Sequence, residues 1–357
     1  MKFSLLLGRI AAGALLCASL LPGRVLAEAP PAADVSQVDA EIQAEMERQH
    51  IPGLALAVVK DGKVIKAAGY GFAELEQQTK VRPETVFRIS SISKQFIAAG
   101  IVLLARDGKL KLEDKVSAYL DGTPDTWKDI TLRHLLSHTS GLARECPAFD
   151  GWKPVSDAIA VKSAYALPLE FPTGSKYQYC NTGYFALAEI ITRQTGMPWG
   201  DFLTARVFKP AGLSATRTTS IIDVIPGRAR GYEWVKDAWK NVPEPPALRP
   251  SGAFLSTVLD LAKWDADLLA GKTLTIAEQE EMRTPMKLSD GKACSYGLGW
   301  QITAFQGHPQ ASHGGSNPGY RSHYLRLLDC RLSVIVLTNS ENANPKLIAE
   351  QVAARYV

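Results

Sequence analysis

Apolar positions recur every four residues at Val38, Ile42 and Met46, so residues 36–49 are expected to form a helix that buries one face. The next stretch, "LALAVVKDGKVIKAAGYG", has two β-rich runs around Asp61-Gly62, a dipeptide suited to the positive φ angles of a tight hairpin turn. Residues 92–106 are nearly all apolar and stop at "RDGKL", which predicts a buried helix closed by a glycine turn. From there to about residue 270, short helical patterns alternate with Pro/Gly loops, without internal repeats. Near the C-terminus, "HYLRLLDCRLSVIVLTNS" gives two more strand-like runs around a short turn, and "PKLIAEQVAARYV" a helix opened by Pro345. Strands at both ends with helices between them predict an α+β fold. One antiparallel β-sheet is built from both chain ends and flanked by helices, with an inserted, mainly helical lobe and a cleft between the two. The expected bounds are 36–87 and 290–357 for the sheet lobe and 88–289 for the helical lobe, inside a single domain over 28–357.

Composition adds a destination. At 357 residues, 46% hydrophobic and 21% charged, the chain has ordinary globular character. Its first 27 residues differ: Lys2 and Arg9 lead into "IAAGALLCASLL", then "PG" and the small residues of "VLA" and "AEA". This reads as a secretory signal peptide cut after Ala27 or Ala29, and a periplasmic or secreted location is expected. Arg24 interrupts an apolar run too short to span a bilayer, so no stable membrane span is expected once it is removed. Bulky Leu16 before Cys17 argues against a lipid-attachment site. Loss of residues 1–27 takes the formal charge from +4 to about +1, which gives no reason to expect nucleic acid. Cys146, Cys180, Cys294 and Cys330 then remain, with three possible pairings, and no CxxC suggests a metal.

Candidate chemistry starts at "RISSISKQF". On a helix, Ser90 and Ser91 both share a face with Lys94, so spacing leaves two possible nucleophiles. A Ser-x-x-Lys pair occurs roughly once or twice by chance in such a chain, and a second, Ser289 with Lys292, lies in the loop "LSDGKAC". The first opens a buried helix, where unpaired amides and the helix dipole favour negative charge; there a serine could be nucleophile, oxyanion donor or simply a cap. A lysine accepts a proton only if desolvated or close to a cation or a partner base, and the apolar run after Lys94 supplies burial. In "YQYCNTGY", Tyr179 and Asn181 face one way and Cys180 the other if the segment is extended. The tyrosine could relay a proton and the asparagine hold a carbonyl. In "SHGGSNPGY", Gly314 and Gly315 after His313 permit close backbone approach, and a strand-edge N–H there could complete an oxyanion hole. His134 and His138 are four apart but lack the glutamate of HExxH, and are read as packing or loop-anchoring residues.

Together these motifs resemble the serine β-lactamase-related family, which spans class C β-lactamases, D-alanyl-D-alanine carboxypeptidases, D-aminopeptidases and esterases. The resemblance runs from "IPGLALAVVKDGKV" through "FRISSISKQF", "ITLRHLLSHTSGL", "FPTGSKYQYCNTGYFALAEII" and "SGAFLSTVLDLAKW" to "YGLGWQI" and "HGGSNPGYRSHYL". It implies a β-lactamase/transpeptidase-like fold and matches the nucleophile motif to Ser91 and Lys94, Tyr-x-Asn to Tyr179 and Asn181, and the strand motif to His313, Gly314 and Gly315. Two departures stand out. His-Gly-Gly replaces the Lys-Thr-Gly usual in β-lactamases of this class, and Pro172-Thr173-Gly174 is one residue longer than the usual Pro-Gly.

The resemblance thus implies a serine hydrolase acting by acyl transfer. Ser91 attacks, Lys94 and Tyr179 share the role of base, and the amides of Ser91 and Ser316 hold the oxyanion. Asn181 orients the substrate, and His313 assists the proton network or binds an acid group. No cofactor or metal is required. A histidine is cationic only part of the time near neutral pH, so a D-amino-acid peptide or small ester ranks above a β-lactam, with peptidoglycan-derived peptides among the candidates. The alternatives are a class C-type β-lactamase and a non-hydrolytic penicillin-binding or sensor protein. Trp152, Tyr232 and Trp234 are candidates to line the cleft, against the more common local packing of loop aromatics.

Overall fold

The N-terminal helix forms where Val38, Ile42 and Met46 demand it: α1 spans Val35–Arg48, and all three side chains are buried. Strands β1 (Gly53–Lys60) and β2 (Lys63–Glu74) follow, joined by Asp61-Gly62 with φ of 51° and 73°, and then the short β3 (Thr79–Lys80). Both turn residues are left-handed, as a tight two-residue hairpin requires. The computed structural model describes residues 35–220 and 222–357. The signal-peptide expectation therefore lies outside the described residues. Among those, no helix is long and apolar enough to cross a membrane.

The C-terminal part supplies β4 (Gln301–Phe305), β5 (His308–Asn317), β6 (Tyr320–Leu327) and β7 (Leu332–Thr338), followed by the helix Pro345–Ala353. Asn344 caps that helix, its side-chain oxygen accepting from Leu347 N at 3.2 Å. The seven strands form one sheet in the order β3-β2-β1-β7-β6-β5-β4. The central pairing is antiparallel between the two chain ends, with Leu54 opposite Thr338 and Lys60 opposite Leu332.

Alternation along β1 sorts the core. Leu54, Leu56 and Val58 face α1 and the C-terminal helix, while Ala55, Ala57 and Val59 face the opposite layer. Small alanines on that inner face leave room for the helix Val258–Ala270, which packs on β1, β2 and β7. Its buried Asp265 accepts from Tyr324 Oη (2.8 Å), Arg326 Nε (2.7 Å) and Ser333 Oγ (2.6 Å). A buried guanidinium needs such an anion, and the network fixes the helix against the sheet.

Between the sheet segments the chain builds the helical lobe. Its two long helices, α2 (Lys94–Arg106) and α3 (Thr182–Thr195), pack against each other. Phe96 on α2 makes edge-on contacts with Phe208 (5.2 Å between centroids) and Phe254 (5.9 Å), and Gln95 Oε1 accepts from Trp264 Nε1 at 2.8 Å. The segment before α2 is clamped as well: Phe87–Arg88 pairs with Leu255–Ser256, and Ile89 N donates to Phe254 O at 3.0 Å. These contacts leave residues 87–96 little freedom.

The four cysteines after residue 27 are free thiols, with Cys146 and Cys180 buried. None of the three possible pairings forms. The three aromatics expected in loops do not line the cleft either, and Tyr232 and Trp234 lie on the short strand Tyr232–Val235. Tyr232 gives its hydroxyl to Glu76 Oε2 (2.5 Å), Trp234 stacks on His50 at 4.3 Å, and Trp152 is exposed. Local packing wins for the first two because each finds a partner close by.

Candidate active site

Ser90–Ser93 form a single 3-10 turn leading into α2, so Lys94 is the first residue of the α-helix proper. Neither Ser90 nor Ser91 makes a cap: the N-cap positions, Ile89 and Ser93, show no side-chain capping bond. Ser90 is buried with φ of 54°, and its Oγ has no partner. Ser91 faces the cleft, a depression of about 590 Å³ also lined by Tyr179, Asn181, Ser251 and His313–Asn317. Of the two serines that helical spacing left open, Ser91 is the one that reaches the cleft.

Lys94 is fully buried. Its Nζ lies 2.9 Å from Asn181 Oδ1, 2.9 Å from Ser251 O and 3.3 Å from Ser91 Oγ. The two carbonyl oxygens can only accept, so they take two of the amine's protons. Burial pushes the lysine well below its usual pKa, with the Arg249 cation adding to the effect and Glu145 opposing it. In the neutral amine the third direction carries the lone pair, aimed at the Ser91 hydroxyl. That is the geometry of a general base.

Tyr179 lies against this group, its ring centroid 4.6 Å from Lys94 Nζ. Burial raises its phenol pKa, and a hydrogen bond with Ser91 opposes the rise only in part. Tyr179 therefore carries its proton at neutral pH and suits relay or donation more than phenolate chemistry. Cys180 points away, as expected, with its Sγ bonded to Ala143 O (3.3 Å) and its N–H donated to His138 Nδ1 (3.1 Å). His134 bonds back to Thr131 in a capping box. Both histidines anchor backbone, as their sequence context suggested.

On the far wall, β5 brings His313, Gly314, Gly315 and Ser316 alongside. A Cβ on Gly315 would stand 2.4 Å from Ile89 O and 2.1 Å from Ser322 Oγ, so only glycine lets the strand press against the nucleophile turn. Strand β4 pairs only with His308–Ser312, leaving the rest of this edge open. Asn317 faces Tyr320 across the two-residue turn, so the alternating ladder puts the Ser316–Arg321 pair out of hydrogen-bonding phase. The Ser316 N–H thus points to the open edge.

His313 requires a correction. Gly314 O, 2.6 Å from its Nδ1, can only accept, so Nδ1 carries the proton; Nε2 then accepts from Tyr296 Oη at 2.8 Å. Both nitrogens are occupied. Burial drives the imidazole down to about 3, and any charge on the neighbouring Lys94 acts in the same direction. The expected role of binding a substrate acid group does not fit a ring that is neutral and fully bonded.

The Beta-lactamase family model matches residues 38–356, almost the whole described chain. The chain belongs to the Beta-lactamase family. It is 30% identical over 324 residues to penicillin-binding protein 4* of Bacillus subtilis, covering 83% of this chain and 69% of that protein. It is 27% identical to a D-aminopeptidase of Gluconobacter oxydans, over 89% of this chain and 62% of the relative. Among solved structures, the octameric penicillin-binding protein homologue from Pyrococcus abyssi superposes with a TM-score of 0.80 at 28% identity, covering 90% of this chain and 77% of that one. The chain thus spans somewhat over three fifths of the two curated relatives.

In this family member, sequence reasoning missed Glu145, Arg249, Ser251 and Tyr296. Glu145 accepts from Asn181 Nδ2 at 2.7 Å and pairs with Arg249. A carboxylate only accepts, so this contact fixes the amide with Oδ1 toward Lys94. Glu145 lies in an irregular loop after "HTSGLAR" and follows no spacing rule, so no sequence signal pointed to it. Ser251 contributes only backbone, which sequence chemistry does not display.

Lys94 should leave its mark on pH dependence. Between its depressed folded-state pKa and the ordinary 10.5, the unfolded chain binds a proton there that the folded chain lacks, so stability rises with pH by about 1.4 kcal/mol per unit. Urea unfolding across pH 7–10 should show wild type gaining stability relative to Lys94→Met as pH rises; parallel profiles would contradict a lysine whose pKa is depressed by burial.

Proposed function

We propose that this member of the family, a serine hydrolase, cleaves a D-amino-acid peptide or small ester through an acyl-enzyme and acts outside the cytoplasm. The observation that carries the mechanism is Lys94 Nζ, held by two carbonyls with its third direction on Ser91 Oγ. Ser91 Oγ forms the new bond to the substrate carbonyl as its proton passes to Lys94. The oxyanion is held by the Ser91 and Ser316 amides. The tetrahedral intermediate collapses as the amine or alkoxide leaves with a proton delivered through Tyr179, and Lys94 reprotonates the phenol. Water repeats the sequence in reverse, releasing the acid and restoring Ser91. Asn181 positions both Lys94 and the substrate, while His313 and Tyr296 support the wall on which Gly314, Gly315 and Ser316 lie.

The preference for peptides and esters over β-lactams rests on His313. Where Lys-Thr-Gly would offer a permanent cation to a β-lactam carboxylate, this chain presents a neutral, internally bonded ring. The D-aminopeptidase among its relatives supports an amide substrate. Purified protein tested on D-Ala-D-Ala peptides, a p-nitrophenyl ester and a chromogenic cephalosporin should show kcat/KM at least tenfold higher on the best peptide or ester. Preference for the cephalosporin would favour a class C-type β-lactamase. A persistent fluorescent-penicillin label without product release would favour a penicillin-binding sensor.

Export rests on the Lys2/Arg9 start, the apolar run and the small residues around Ala27 and Ala29. N-terminal sequencing of the protein from a secreting host should begin at Glu28 or Pro30. A chain that keeps Met1 and stays in the cytoplasm would refute the secreted reading.

A further inference from the structure

His308 opens β5 five residues before His313, so it lies roughly 17 Å along the strand from the catalytic wall. The turn between β6 and β7 brings Asp329 and Cys330 beside it. His308 Nδ1 is 3.0 Å from Asp329 Oδ2 and 3.2 Å from Cys330 Sγ, and one ligand atom from each residue lies within 4.8 Å of the others. Among the described residues, no other group of three or more such side chains converges in this way.

We propose that His308, Asp329 and Cys330 form a binding site for one borderline-soft divalent cation of the Zn²⁺ class. An imidazole, a thiol and a carboxylate suit such an ion, whereas Ca²⁺ and Mg²⁺ favour all-oxygen sites. Bond lengths of about 2.0–2.3 Å in a tetrahedron put neighbouring ligand atoms about 3.4–3.6 Å apart, so the donors need to spread by only a few tenths of an ångström. The turn is already braced for this. Cys330 N–H donates to Asp329 Oδ1 at 2.8 Å, leaving Oδ2 toward His308, and Lys60 Nζ on β1 donates to Cys330 O at 2.8 Å.

Binding releases one proton to solvent, as the Cys330 thiol becomes a thiolate and forms its bond to the metal. In the free site Nδ1 donates its proton to Asp329 Oδ2; on binding that proton leaves Nδ1 for solvent and Nε2 takes one up, so the neutral ring coordinates through the Nδ1 lone pair with no net change in its proton count. The thiolate and carboxylate balance the ion's two charges, and the neighbouring cations are already engaged, Lys60 by Cys330 O and Arg331 by Asp61. All three side chains are partly exposed, so the fourth position goes to water. The metal would clip the β4–β5 turn to the β6–β7 turn. Strand β4 pairs within the sheet only with β5, so the clip secures the edge of the sheet and leaves the Ser91 chemistry alone.

The test uses Co²⁺ as a spectroscopic probe on metal-stripped full-length protein. One equivalent should produce a thiolate-to-cobalt charge-transfer band, which Zn²⁺ abolishes by competition. Cys330→Ser should lose the band, and His308→Ala and Asp329→Asn should each weaken Co²⁺ binding at least about tenfold, with hydrolytic turnover unchanged. Zn²⁺ should also raise the thermal midpoint of wild type and not of Cys330→Ser. Asp329→Asn keeps the shape of the turn, so it separates ligand loss from misfolding. Absence of a saturable thiolate band in wild type, or equal Co²⁺ affinity in wild type and all three variants, would overturn the site.

Discussion

A lysine amine buried between two carbonyl oxygens is the interaction on which the rest of this site depends. Desolvation disfavours the lysine cation, and Asn181 Oδ1 and Ser251 O occupy two of its directions, so the neutral form has its lone pair directed at Ser91. Four distant segments must meet to create this: the turn before α2, the start of α3, the loop carrying Glu145 and the backbone at Ser251. Much of the helical lobe acts as their frame. Phe96, Trp264 and the Phe254 backbone hold α2 and its preceding turn, and Glu145 orients the amide that receives the amine.

The opposite wall is arranged by subtraction. Gly315 has no side chain because Ile89 O occupies the place of one, and β4 stops short so that the β5 edge stays open. His313 has no free nitrogen because Tyr296 and Gly314 take both. Where the sequence resemblance to β-lactamases calls for a lysine, this strand carries a histidine held in neutral hydrogen bonds. Any recognition of substrate charge in this cleft must come from residues other than His313, and Arg144 and Arg249 are placed along its rim.

Much of the fold was legible because it follows local rules. The four-residue apolar spacing predicted α1, Asp61-Gly62 predicted the first hairpin, and strands at both ends predicted one antiparallel sheet built from both; the register that joins them, Leu54 opposite Thr338, came only with the structure. Ser91, Lys94, Tyr179 and Asn181 were legible as motifs, and the structure brings them together. Residues that act through irregular backbone or long-range pairing were not: Glu145 is an unremarkable loop acid, and Ser251 offers only a carbonyl. The aromatics read as loop residues misled because Tyr232 and Trp234 lie on a short strand, Tyr232–Val235, and find Glu76 and His50 before they find a ligand. His313 misled because its sequence shows a titratable ring while its surroundings, which only the fold supplies, hold that ring neutral.

The proposed chemistry requires Ser91 to be the group that becomes acylated. Rapid quenching of the wild-type enzyme during turnover, followed by peptide mapping of the mass adduct, tests this most directly. An acyl group on Ser91, formed more slowly as pH falls and absent from Ser91→Ala, is the expected result. An adduct on Ser90 or another side chain, or an undiminished burst in Ser91→Ala, would contradict it.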